Sequence, residues 1–271
     1  GIDRRSGDIR TKKMGYFASE QKLYENIIAS TGAADCRYPL TWLLEAADDI
    51  AYKTADIEDA QRKGLISYNA LLAELTSQKF AGQCRTEAER NTLAAAADKL
   101  RHYLAKALDN GMPSPEENAV QNCMVRIQSL LINSAADAFV EHYDEIMNGE
   151  LRTELLSLSP ARVLADALGD IALRYAFRSK EILRIELAVS QMMNFLLERL
   201  TGAALRFETP QEKITDSKLI SVISENYVKI CRLGWHDENS ELYSRLLLVT
   251  DYICGMTDGY ARQLYLELNG R

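Results

Sequence analysis

Apolar residues recur every three to four positions along most of the chain. No segment alternates apolar with polar residues as a half-buried strand would. The pattern predicts helices at about residues 19–30, 38–63, 67–78, 86–109, 115–147, 160–177, 180–200, 216–233 and 239–268. Gly32 and Gly64 stand where the first two should stop, and Ser67 stands as an N-cap before the third. "NGMPSP" at 110–115 is a break, and 201–216, with Pro210, reads as irregular. Residues 1–17 read as a basic loop. There is no internal repeat and no low-complexity tract. The expected fold class is all-α, a multi-helix bundle.

Composition narrows the function classes. At 271 residues the chain can bury a sizeable core, and 47% hydrophobic with 26% charged residues is the balance of an ordinary soluble protein. A net charge of −7 argues against a general nucleic-acid coat. The local cluster Arg4, Arg5, Arg10, Lys12 and Lys13 remains open to a nucleic-acid or a phosphate contact. Five widely spaced cysteines without a CxxC read as reduced thiols, so a cytoplasmic location is expected. No apolar run reaches membrane-spanning length. The first residue is Gly, not Met, from which missing upstream material is expected.

The segment "PLTWLLEAADDIAYKTADIEDA", residues 39–60, carries the clearest chemistry. It opens with apolar residues yet holds six carboxylates from Glu45 to Asp59. On a helix, residues four apart lie about 40° apart around the axis. Asp48, Tyr52 and Asp56 therefore make a ladder about 12 Å long on one face. Ala47, Ala51 and Ala55 beside them leave the backbone approachable. One carboxylate can bind a metal ion, the ring can support a sugar or planar group, and the second carboxylate can accept hydroxyl hydrogen bonds. Spacing alone equally allows a solvated acidic face, with Lys53, Arg62 and Lys63 pairing across turns.

"YPLTWLLEAADDIAYKTADIEDA" closely resembles the signature of the bacterial dGTP triphosphohydrolases, members of the HD-domain phosphohydrolases. The resemblance extends to "KKMGYFASE" upstream and "DYICGMTDGYA" near the end, and covers most of the chain. It implies the C-terminal portion of an HD-domain-like bundle. Residues 1–65 would be the end of the catalytic core and 66–271 a C-terminal helical region. By the same resemblance Asp48 matches the last metal-ligating Asp, and Tyr52 matches a tyrosine packing on the deoxyribose. Asp56 matches an acid bonded to the 3′-hydroxyl, and Lys13 a lysine reaching the triphosphate. Lys218, in "ITDSKLI", sits where related enzymes carry an arginine reaching a neighbouring subunit's nucleotide.

The implied reaction converts a deoxynucleoside triphosphate, dGTP by preference, and water into deoxynucleoside and tripolyphosphate. The implied cofactor is a divalent metal, Mn²⁺ or Mg²⁺. The implied partners are further copies of the chain, commonly as hexamers, with single-stranded DNA as a candidate regulator and no membrane. The family's other ligands, a His and a His-Asp pair, precede the final Asp, but no His precedes Asp48 here. His102 and His142 read as surface or packing residues, and His236-Asp237 as a turn or capping pair. The chain alone, with no complete catalytic set, is therefore expected to be an inactive fragment of such an enzyme. The alternative is a non-catalytic helical interaction or nucleotide-sensing protein.

Overall fold

Helices account for most of the described residues, which contain no β-strand. The computed structural model describes residues 9, 16, 17, 20–33, 36–236 and 238–270. None of the described helices is long and apolar enough to cross a membrane. Two compact units divide the chain, Gly1–Ser179 and Lys180–Arg271.

The first unit begins with α1 (Gln21–Thr31), ended by Gly32 in the left-handed conformation at φ 68°. Next comes α2 (Pro39–Arg62), with Pro39 in its first turn, where the missing N–H costs nothing. Its buried residues Trp42, Ala46, Ile50, Thr54, Ile57 and Ala60 recur every three to four positions and form one stripe. Ser67 caps α3 (Tyr68–Leu75) by accepting the Ala70 N–H at 3.2 Å. The short α4 (Gln78–Ala81) leads to α5 (Glu87–Asp109), and α6 (Pro115–Glu141) follows the expected break. Then come α7 (Tyr143–Met147), α8 (Leu155–Leu158), α9 (Arg162–Ala172) and a π-helical turn, Leu173–Phe177. The core forms where α6 packs on α2 and α5, and α9 closes on α2. Ile57, Leu71, Leu100, Leu131 and Leu168 are sealed inside it.

Two polar devices fix this unit. Thr86 and Glu89 form a capping box at the start of α5: Thr86 Oγ1 accepts the Glu89 N–H at 3.1 Å, and Glu89 accepts the Thr86 N–H at 3.3 Å. The buried Glu89 also accepts from Arg162 Nε at 2.7 Å, while Arg162 Nη2 donates to the Gln83 carbonyl at 2.8 Å. Beside the π turn, Arg174 grips Glu74 with both Nη atoms at 2.6 and 2.7 Å and donates Nε to Asp170 at 2.7 Å.

The second unit holds α10 (Lys180–Arg206), α11 (Ile214–Ile220), α12 (Glu225–Leu233), α13 (Glu238–Cys254) and α14 (Asp258–Leu268). Leu196, Leu200, Ile220, Leu248, Val249 and Leu264 make its core. Arg245, only 4% exposed, donates to the Ala204 and Phe207 carbonyls near the end of α10 and lies 4.4 Å from the Trp235 ring. Arg206 holds Asp216 with two hydrogen bonds at 2.7 and 2.8 Å.

Several helix boundaries differ from the periodicity. The 115–147 segment breaks at His142 into α6 and α7. The 160–177 segment ends in the π turn. α10 runs on to Arg206 because Leu200, Ala203 and Ala204 are still buried. The 216–233 and 239–268 segments each become two helices. Ser224 is extended before α12, and Thr257 caps α14 by accepting the Tyr260 N–H at 3.3 Å. His236 lies exposed in the turn between α12 and α13, its N–H donated to Ser240 Oγ at 3.2 Å. Asp237 lies outside the described residues.

Arg162 and the backbone donors hold the Glu89 carboxyl down at about 2, against 4.5 ordinarily. A depressed folded value stabilises the fold above pH 4.5, and that contribution is lost as pH falls towards 2. Glu89→Gln should cost about 3 kcal/mol at neutral pH, because it leaves the Arg162 charge only the longer approach of Asp166 at 3.8 Å. Denaturant unfolding at a series of pH values should show this gap narrowing as the pH drops through that window.

Candidate functional site

The stripe that α2 buries decides what its other faces show. With Trp42, Ile50 and Ile57 inside, Asp48 and Tyr52 point outward and Asp56 lies at the edge of the packed face. Tyr52 is 64% exposed. Beside this ladder Ala47, Ala51 and Ala55 are exposed as well, and Leu44, at 68% exposed, continues the outward surface. Asp48, Tyr52 and Asp56 therefore do share one outward side of α2.

The pairing of the six carboxylates sorts them. Asp49 accepts from Lys53 at 3.0 Å, Glu58 from Arg62 at 2.7 Å, and Asp59 lies 3.6 Å from the same guanidinium. Glu45 is engaged too. Asp48 and Asp56 make no hydrogen bond or ion pair with any described residue. The cross-turn pairing allowed by the sequence thus occurs, but it takes up the acids flanking the ladder. Desolvation raises the Asp56 carboxyl above its ordinary 3.8; repulsion from Asp59 adds to this and Lys63 opposes it.

The described residues contain no group of three or more His, Cys, Asp or Glu side chains that could hold a metal ion. A divalent cation needs several ligands in a defined geometry, so Asp48 with its described neighbours does not fit such an ion unaided. His102 is exposed, and His142 Nδ1 lies 3.1 Å from Glu145 Oε1 at the end of α6. Lys218 is exposed on α11, in the second unit. Lys13 lies outside the described residues. Sequence reasoning missed the outward apolar residues Leu40 and Leu44. Their positions off the buried stripe were the available signal, since a helix with one packed face has no internal use for them.

No family model matches the chain. A "deoxyguanosinetriphosphate triphosphohydrolase-like protein" of Listeria monocytogenes is 36% identical over 268 residues, covering 97% of this chain and 55% of the relative. Over nearly its whole length the chain is thus similar to part of a protein described as a deoxyguanosinetriphosphate triphosphohydrolase-like protein. A Synechocystis protein of the same description is 27% identical over 267 residues, 96% of this chain and 52% of that protein. A "deoxyguanosinetriphosphate triphosphohydrolase" of Serratia proteamaculans is 26% identical over 278 residues, 95% of this chain and 54% of that protein. The chain thus spans about half the length of the curated relatives it matches, an extent consistent with the C-terminal half of a deoxyguanosinetriphosphate triphosphohydrolase.

The two sides of α2 should respond oppositely to substitution. Leu44→Lys should change unfolding free energy by less than about 0.5 kcal/mol, as an exposed position does. Ile57→Ala, at a fully buried position, should cost about 3 kcal/mol. An NMR titration of the side-chain carboxyl should place Asp56 above its ordinary 3.8, and Asp59→Asn should lower it only in part because desolvation is the larger cause.

Proposed function

We propose that this chain supplies one wall of the active site of a metal-dependent deoxynucleoside triphosphate triphosphohydrolase, with dGTP as preferred substrate. One observation carries the reading. The two acids of α2 left without partners, with Tyr52 between them, stand on one outward face of a chain related to proteins named for this activity. Asp48 contributes a single metal ligand, and the remaining ligands come from outside the described residues. Tyr52 packs against the deoxyribose, and Asp56 accepts the 3′-hydroxyl. A carboxylate held without an internal partner is free to accept that hydrogen bond without first breaking another. Lys13 serves as a point charge for the triphosphate, and Lys218 reaches a nucleotide of a neighbouring copy.

In this reading residues 1–65 complete the catalytic core and 66–271 form the helical region around it. The working protein is a cytoplasmic homo-oligomer, with single-stranded DNA as a candidate regulator. The chain alone lacks the ligands to hold its metal and turns nothing over.

The test uses two proteins: this chain, and a chimaera in which it replaces the matching 268 residues of the Listeria monocytogenes relative. Each is incubated with the four deoxynucleoside triphosphates and Mn²⁺ or Mg²⁺, and tripolyphosphate is followed by chromatography. The chain alone should release none. The chimaera should release it, fastest from dGTP, and Asp48→Ala should reduce release to background. Asp56→Asn should raise KM about tenfold, the worth of one hydrogen bond to a charged group. Turnover by the chain alone, or an active Asp48→Ala chimaera, would overturn the reading. A chimaera that binds dGTP without hydrolysing it would support the sensing alternative.

A further inference from the structure

The first unit carries a groove that the α2 ladder does not use. It lies between the end of α3, the turn after α4 and one side of α5, and encloses about 320 Å³. Leu75, Leu93 and Ala97 form a buried apolar floor. Ala94 on its wall is exposed, and its single methyl leaves room that a larger side chain would fill. The volume falls at the small end of the range for small-molecule sites, about 300–1,000 Å³.

The mouth is what selects a ligand. Arg101 donates to Asp98 at 2.8 Å, so that pair is neutral. Arg90 donates one hydrogen bond, to the Cys84 carbonyl at 3.3 Å, and has no carboxylate partner among the described residues. A guanidinium has five N–H donors, and its planar fork matches a carboxylate. In a chain of net charge −7, this uncompensated arginine faces an apolar floor. A single free fork suits one negative charge, and the neutral Asp98–Arg101 pair adds no net positive charge with which to hold the further charges of a polyphosphate.

We propose that this groove binds small monocarboxylates with an apolar body, the carboxylate on Arg90 and the body against Leu75, Leu93 and Ala97. The proposal stands independently of the reading of α2. It separates the two halves of the ligand: the arginine recognises charge, and the floor recognises hydrocarbon.

Isothermal titration of the 271-residue chain with hexanoate, and separately with hexanol, tests both halves. Hexanoate should bind saturably and at least about tenfold more tightly than hexanol, the margin one charge-assisted contact provides. Arg90→Gln should remove that margin and leave hexanol binding as it was. Ala94→Phe should abolish both by filling the groove. Both positions are exposed, and unchanged circular dichroism and unfolding midpoints will confirm that the variants fold. Absence of saturable hexanoate binding, equal affinity for acid and alcohol, or binding that survives Ala94→Phe overturns the proposal.

Discussion

The rotational setting of α2 is the constraint from which the candidate site follows. Trp42, Ile50 and Ile57 fall on one stripe, and burying them contributes roughly 6 kcal/mol in all at about 2 kcal/mol per side chain. One residue is 100° of helix. Turned by one position in one direction, α2 would bury Glu45, Asp49, Lys53, Asp56 and Asp59. Turned the other way, it would exchange Trp42, Ile50 and Ile57 for Leu43, a run of alanines and Glu58. Each buried, unpaired charge costs several kcal/mol, so neither alternative competes. The ladder of Asp48, Tyr52 and Asp56 faces outward because the opposite stripe must face inward.

The polar anchors explain why helices remote in sequence keep their places around that stripe. Glu89 partners three groups at once, the Arg162 guanidinium and the backbone N–H groups of Arg85 and Thr86, and so fixes the start of α5. α9 carries Arg162, and α9 packs on α2, so a cap on one helix steadies the helix that supports the site. In the second unit Arg245 plays the equivalent part by satisfying carbonyls at the end of α10, where a helix leaves acceptors unmet.

Much of this was legible in the residues. The helical class followed from the period, and the stops at Gly32 and Gly64 from the residue that tolerates positive φ. The shared face of Asp48, Tyr52 and Asp56 followed from spacing by four. The breaks at 221–224 and 255–257 did not, because apolar residues on both sides of each turn keep feeding the same core and the period runs through them. Arg162 could not be assigned to Glu89 either. The two stand 73 positions apart, and only the packing of α9 on α5 brings them together.

Which acids of α2 are free was the least legible feature, and the most useful one. Arg62 alone serves Glu58 and Asp59 on its own helix and approaches Glu117 of α6 at 3.6 Å. Its allocation depends on a tertiary neighbour and cannot be read from α2. Once it is committed to that end of the helix, no described cation remains within pairing distance of Asp48 or Asp56. An internal ion pair would have made either acid a poor ligand, because binding would first have to break it. Leaving both open, beside exposed Tyr52 and Leu44, gives no stability to the unit as it stands. In the proposed reading, a surface with unpaired acids and bare apolar groups on one face serves what it meets, not the packing behind it.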